Sequence, residues 1–226
     1  MISEVYNIDC LEFMRTMPDG FYDLAIADPP YAGANDPTIN GGGRFGQRFD
    51  RYKKYTSVDW DVAPKKEFFD ELYRVSKNQI IWGANYFEMP PTRCFLVWRK
   101  LTISEKFSMA MAEYAWTSFN GNAKVFECAP QGKAGDRFHP TQKPVELYAW
   151  ILRNFAKEGD KIFDPMAGSQ SSRIAAYKMG FDYCGCELNE SYFIMGNERF
   201  DKECKGITRL SNGTTIRQLS LFDNGD

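Results

Sequence analysis

The chain has 226 residues, 43% hydrophobic and 26% charged, with a net charge of −2. This length fits one domain with a sizeable core, and no apolar run approaches the roughly 18 residues of a membrane span. The balance of charge argues against indiscriminate coating of nucleic acid. The six cysteines at 10, 94, 128, 184, 186 and 204 have no zinc-site spacing and read as reduced thiols. MISEVYNIDC holds no basic region followed by an apolar stretch, so a cytoplasmic protein with no membrane association is expected.

EVYNI reads as a strand and CLEFMRTM as an amphipathic helix, and the turn Pro18-Asp19-Gly20 leads into the strand FYDLAIA. That strand stops at Asp28-Pro29-Pro30-Tyr31. Residues 32–58 have many glycines, arginines and prolines and little periodicity, the pattern of a long mobile loop, and such loops usually carry function. Pro64 opens a helix over KKEFFDELYRVSK, and the strands NQIIWGA, RCFLVWRK and MAEYAWTSF follow, with loops to residue 137. After Pro144 come the helix VELYAWILRNFA, the strand DKIFDP, the helix SRIAAYKMG, the strand DYCGCEL and the helix NESYFIMGNERFDKEC. The last 20 residues read as an extended tail. This alternation predicts a single α/β domain over 1–226, a mostly parallel central sheet with helices on both faces. Ligands on such sheets bind beyond the carboxyl ends of the strands, where each unusual motif stands.

Asp28-Pro29-Pro30-Tyr31 is the first such motif. An exocyclic base amine is a poor nucleophile because its lone pair is delocalised into the ring. Acceptors for both amine hydrogens favour a localised lone pair, and Asp28 offers a carboxylate and Pro29 a carbonyl. The prolines hold these acceptors rigidly, and Tyr31 offers a flat face for a base taken out of the duplex. The second is IFDPMAGSQSS, residues 162–172: a carboxylate at a strand end, then small residues leading into a helix, so that backbone N–H groups approach a ligand closely. The next strand ends in Glu187, placed to accept hydrogen bonds from a ribose diol. The third is His139-Pro140-Thr141-Gln142-Lys143-Pro144, a rigid turn before a helix. His139 is the only histidine and is read as part of that turn rather than as a base.

These motifs, in the order DPPY, a variable stretch, HPTQKP, DPMAGSQ and an acidic strand end, resemble the beta group of DNA amino-methyltransferases over nearly the whole chain. The segment EYAWTSF is also similar to small phage and prophage members. The resemblance implies a Rossmann-like methyltransferase fold with a permuted motif order, S-adenosylmethionine as cofactor, no metal, and double-stranded DNA as substrate. It implies that Asp28, Pro29, Pro30 and Tyr31 hold a flipped base. Asp164, Pro165, Met166, Ala167, Gly168, Ser169, Gln170 and Ser171 would turn around the cofactor's methionine part, with Asp28 near it. Glu187, with Leu188 and Asn189, would hold its ribose, Asp9 and Cys10 would lie near its adenine, and Thr141, Lys143 and Pro144 would close over it. Trp82, Asn85 and Tyr86 would line the pocket wall, and residues from about 90 to 135 would read the target sequence. The chain departs from the family at Met166, in place of phenylalanine, and at Gln170, where a second glycine is expected.

DPPY favours adenine N6 as the methylated atom, since cytosine-N4 enzymes of this group more often begin the motif with serine. Arg44, Arg48, Arg51, Lys53 and Lys54 face a single Asp50 and are the expected phosphate contacts. In the tail, 206–226, Gln218-Leu219-Ser220-Leu221-Phe222 resembles the motif that docks bacterial proteins on the sliding clamp; packing on the enzyme's own core is the other reading. A homodimer is a further expectation. Two rival classes stay open: methylation of RNA or a protein amide, whose enzymes usually carry NPPY and the cofactor motif first, and a non-catalytic DNA-binding module.

Overall fold

The structure is a computed structural model that describes residues 1–31, 63–107, 110–130, 138, 139, 141–210 and 213–217. The chain divides into two compact units, one of residues 1–13 and 131–226 and one of residues 14–130.

In the first unit β1 (Ser3–Tyr6) pairs in parallel with β8 (Asp182–Cys186), and β8 pairs in parallel with β7 (Lys161–Asp164). Ile162, Phe163, Tyr183 and Cys186 are buried, the near-continuous apolar character of strands covered on both faces. Three helices accompany them: α3 (Val145–Phe155), α4 (Ser171–Lys178) and α5 (Glu190–Lys205). α3 buries Leu147, Tyr148, Ile151 and Leu152, one stripe at helical spacing, and packs on α4. α4 is buried from Ser171 to Ala176, which its small side chains permit, and also contacts β8 and α5. α5 begins at Asn189, whose side chain accepts from the Tyr192 N–H, and ends at Gly206 in the left-handed conformation with φ 67°. Beyond it the expected extended tail begins instead as a two-stranded ribbon. β9 (Ile207–Arg209) pairs antiparallel with β10 (Thr215–Arg217), whose β-branched residues suit a strand.

In the second unit β2 (Tyr22–Ala27) and β3 (Ser76–Trp82) are parallel, with α2 (Lys66–Val75) before β3. β4 (Phe95–Lys100) and β5 (Ala112–Thr117) are antiparallel, and β5 also pairs antiparallel with β3. α2 passes into β3 at Ser76, whose hydroxyl turns back to donate to the Leu72 carbonyl at 2.5 Å. Arg74 donates to the Met14 and Met17 carbonyls and to Asp19, fixing the Pro18-Asp19-Gly20 turn against α2. One strand departs from the expected loops: β6 (Lys124–Cys128) runs parallel to β4. It has only five residues, and Val125 is exposed, so its polar–apolar alternation is weak in sequence.

α1 (Cys10–Thr16) follows β1. Among the described residues, no helix is long and apolar enough to cross a membrane. The carboxyl ends of β2 and β3 in one unit, and of β1, β7 and β8 in the other, carry the residues of interest.

Candidate functional site

In the second unit β2 delivers Asp28 at its end, half-buried, with Pro29 buried behind it. The Tyr31 hydroxyl donates to Asp28 Oδ1 at 2.8 Å. Its ring stacks on Tyr86, with centroids 4.8 Å apart and planes 15° from parallel, and meets Phe87 edge-on. Tyr86 stands in a short 3-10 turn (Ala84–Tyr86) at the end of β3 and is 58% exposed. Gly83, which opens that turn, has φ 64°; a Cβ there would fall 1.9 Å from Tyr31 Cε1. The tyrosine therefore occupies space that only glycine leaves, and the backbone is one that glycine adopts without strain. Burial, with the negative charges of Asp28 and Glu113, pushes the Tyr31 hydroxyl far above its ordinary acidity range, so it stays a neutral donor. Asn85 is exposed, whereas Trp82 is fully buried and belongs to the core rather than to a pocket wall. Ala84, Asn85, Phe87, Pro90, Tyr114 and Trp116 are among the residues around an open groove of about 440 Å³.

In the first unit β7 ends in Asp164, which is buried and serves the turn itself. Its Oδ1 accepts from the Met166 N–H at 3.0 Å and its Oδ2 from the Ser172 hydroxyl at 2.5 Å. Pro165, Ala167, Gly168, Ser169, Gln170 and Ser171 are all buried, and Met166 is partly exposed. The Ala167 N–H reaches the Cys186 carbonyl, and the Gly168 N–H donates to Glu187 Oε2 at 2.8 Å. Glu187 Oε1 accepts from the Asn189 N–H at 2.8 Å. One buried carboxylate thus ties the turn after β7 to the turn after β8. Burial raises the Glu187 pKa, opposed by hydrogen bonds from the Asn189, Gly168 and Leu188 backbone. Leu188 beside it is 64% exposed, an apolar surface at a strand end.

His139 stands against this turn. Its Nδ1 lies 3.2 Å from Thr141 Oγ1, its ring centroid is 4.3 Å from that of Tyr192, and a Cβ on Gly168 would meet its Nε2 at 3.3 Å. Gln142, Lys143 and Pro144 are buried. The His139 ring thus packs against the turn after β7.

Asp9 caps α1, its Oδ1 accepting from the Leu11 and Glu12 N–H groups, and Cys10 follows as the first helical residue. Burial, with Asp9 adjacent, pushes the Cys10 thiol up to about 12, so it is no nucleophile at neutral pH. All six cysteines are free thiols. Arg44, Arg48, Arg51, Lys53, Lys54, Pro140, Gln218, Leu219, Leu221 and Phe222 lie outside the described residues.

Several residues that shape the site are not evident from the sequence motifs. Asn7 donates from Nδ2 to the Glu187 and Leu188 carbonyls, and Arg199 Nη1 donates to the Ser169 carbonyl and the Ser171 hydroxyl. No pattern marks either. Gly83 and Gly196 do leave a signal, since an isolated glycine at a strand end or inside a helix commonly has a packing reason.

Residues 97–198 match the family described as DNA methylase, of the N6/N4 type. The match includes HPTQKP, the turn after β7 and Glu187. DNA adenine methyltransferase YhdJ of Escherichia coli K12 is 26% identical, over 85% of this chain and 81% of that protein. The chain is similar to DNA amino-methyltransferases. Its fold is theirs. A candidate DNA modification methylase of Thermus thermophilus, complexed with S-adenosyl-L-methionine, superposes at a TM-score of 0.57 with 18% identity, covering 91% of this chain and 96% of that one. The cytosine-N4-specific PvuII DNA methyltransferase gives 0.61 with 13% identity, covering 87% and 86%.

Proposed function

We propose that this protein is a DNA methyltransferase of the beta group that transfers the methyl of S-adenosylmethionine to adenine N6 in double-stranded DNA. The observation that carries the reading is the Asp28–Tyr31 pair, a half-buried carboxylate and an aromatic side chain whose hydroxyl is held 2.8 Å from it at a strand end. That is the pairing of acceptor and stacking surface a flipped base needs. The named activity of the adenine methyltransferase relative supports adenine.

The chain's residues fit this cofactor. Glu187 supplies a carboxylate for a ribose diol, and exposed Leu188 supplies an apolar face beside it. S-adenosylmethionine, when bound, supplies an electrophilic sulfonium methyl. Asp28 and the Pro29 carbonyl accept the two amine hydrogens and localise the nitrogen lone pair. Tyr31 stacks on the base and, as a neutral donor, orients Asp28. Asp164, Gly168 and Glu187 fix the turn, and Thr141, Lys143 and Pro144 close the cofactor site. Catalysis comes from position and from fixed acceptors, with no covalent step on the enzyme.

Arg44, Arg48, Arg51, Lys53 and Lys54 contact phosphates in this account, and residues 90–135 read the sequence. Residues 218–222 dock on a sliding clamp; binding to the clamp that disappears on deletion of 218–226 supports this, and no binding by the intact chain contradicts it. The function as a whole is tested by incubating the protein with labelled S-adenosylmethionine and unmethylated duplex DNA. Label in the DNA supports it; cofactor binding with no label in DNA points to another acceptor.

A further inference from the structure

The turn after β7 contains an anomaly. Gln170 has φ 57° and ψ 27°, and among the described residues it is the only non-glycine with a positive φ. Left-handed backbone is unfavourable for an L side chain, and glycine is the usual solution. Gln170 is also fully buried, so its polar amide must find partners inside the protein.

It finds them away from the turn. Gln170 Oε1 accepts from Arg173 Nη1 at 2.8 Å, and Nε2 donates to the Phe193 carbonyl of α5 at 3.4 Å. Arg173 is itself fixed. Its Nη1 donates to Asn197 at 2.7 Å, its Nη2 to the Ser3 carbonyl at 2.6 Å, and its guanidinium lies 3.8 Å from the centre of the Phe200 ring. The side chain of Gln170 enters a notch in α5 at Gly196. A Cβ at Gly196 would stand 2.7 Å from Gln170 Nε2 and 2.8 Å from its Cδ and Cγ. Because Cγ is close to the backbone, no rotation of the amide end alone relieves the overlap.

We propose that Gln170 is a positioning residue for the cofactor turn. Its side chain, seated in the Gly196 notch and gripped by Arg173, replaces the conformational freedom of a glycine with a lock that ties the turn to α5. This explains how glutamine stands at the centre of a glycine-type turn without crowding a ligand: it points into the helix layer. Gly196, in mid-helix where glycine is otherwise unfavourable, is the other half of the same device. The link to cofactor rests on the methyltransferase reading; the lock itself does not.

The test compares wild type, Gly196→Ala, Gln170→Gly and the double variant. Two quantities are measured: hydrogen exchange of the Ala167–Ser171 amides in the ligand-free protein, and equilibrium affinity for S-adenosylmethionine. Alanine at 196 favours the helix in itself, so a harmful effect there must come from displacing Gln170. The lock predicts that Gly196→Ala speeds amide exchange and weakens cofactor binding by roughly tenfold, within the range for coupled contacting residues. Adding Gln170→Gly empties the notch, so the double variant regains protection and affinity. Unchanged exchange in Gly196→Ala overturns the lock, as does a double variant no better than Gly196→Ala alone. Wild type that binds no S-adenosylmethionine overturns the methyltransferase reading, and the exchange measurement then decides the lock by itself.

Discussion

The Tyr31 hydroxyl donates to Asp28 Oδ1 at 2.8 Å while its ring lies on Tyr86. Two functions of the tyrosine are thus separable, a hydrogen bond to the acceptor and a flat surface. Tyr31→Phe removes the first and keeps the second, and its KM for DNA is expected to stay within about tenfold of wild type. Tyr31→Ala removes both, and loss of base stacking, worth roughly 1–3 kcal/mol, raises KM about 10- to 100-fold. Steady-state kinetics on one duplex substrate distinguish the two, and equal losses in both variants contradict the stacking role.

Gly83 sets the place of that ring. Gly83→Ala puts a methyl group 1.9–2.6 Å from three Tyr31 ring atoms and an L-residue at φ 64°. The backbone alone costs about 1–2 kcal/mol. The expected outcome is lower stability in urea unfolding and loss of methyl transfer, with cofactor binding retained. Full activity in this variant means that Tyr31 works from a different position.

Glu187 gives the account a pH dependence. Burial raises its pKa above the ordinary 4.5, so it protonates earlier on acidification than an exposed glutamate. The ionised form is the better acceptor for a diol, so cofactor affinity is expected to rise with pH through that raised pKa and level off above it. For stability the sign is opposite. A pKa raised on folding contributes stability below the unfolded value and loses it as pH rises through the folded one. Calorimetric binding across pH checks the first statement; in Glu187→Gln the acid limb of the profile is expected to disappear. A wild-type midpoint at or below 4.5 contradicts it.

Arg48 and Arg51 are expected to contact phosphates. Each lost contact reduces the slope of log affinity against log salt by roughly 0.9. The Arg48→Ala, Arg51→Ala double variant should therefore bind duplex DNA with a slope shallower by about 1.8. An unchanged slope places the phosphate contacts elsewhere.

Much of this was legible in the sequence because strand ends coincide with punctuation. The largely buried runs FYDLAIA, KIFDP and DYCGCEL stop where proline, small residues or a carboxylate begin, and β2, β7 and β8 end there. β6 was not legible, since a five-residue strand with an exposed Val125 leaves little periodic signal. Nor was the ribbon of β9 and β10, too short to outweigh a polar terminal composition. At the site, sequence marks the residues with unusual chemistry and misses those that hold them. Gln170 is visible as a departure from a glycine pattern, but its accommodation depends on Arg173, which no motif marks, and on Gly196, marked only as an isolated glycine within a helix. Asn7 and Glu187 are far apart in the chain and meet only because β1 pairs with β8.

Amine methylation of DNA by this protein is expected to depend on Asp28. Its most direct test is transfer of label from S-adenosylmethionine to unmethylated duplex DNA, followed by digestion to nucleosides, with Asp28→Ala alongside. Labelled N6-methyladenine is expected from wild type, with a loss of at least about a hundredfold in the variant. Labelled N4-methylcytosine overturns the choice of base, and undiminished transfer by Asp28→Ala contradicts the mechanism.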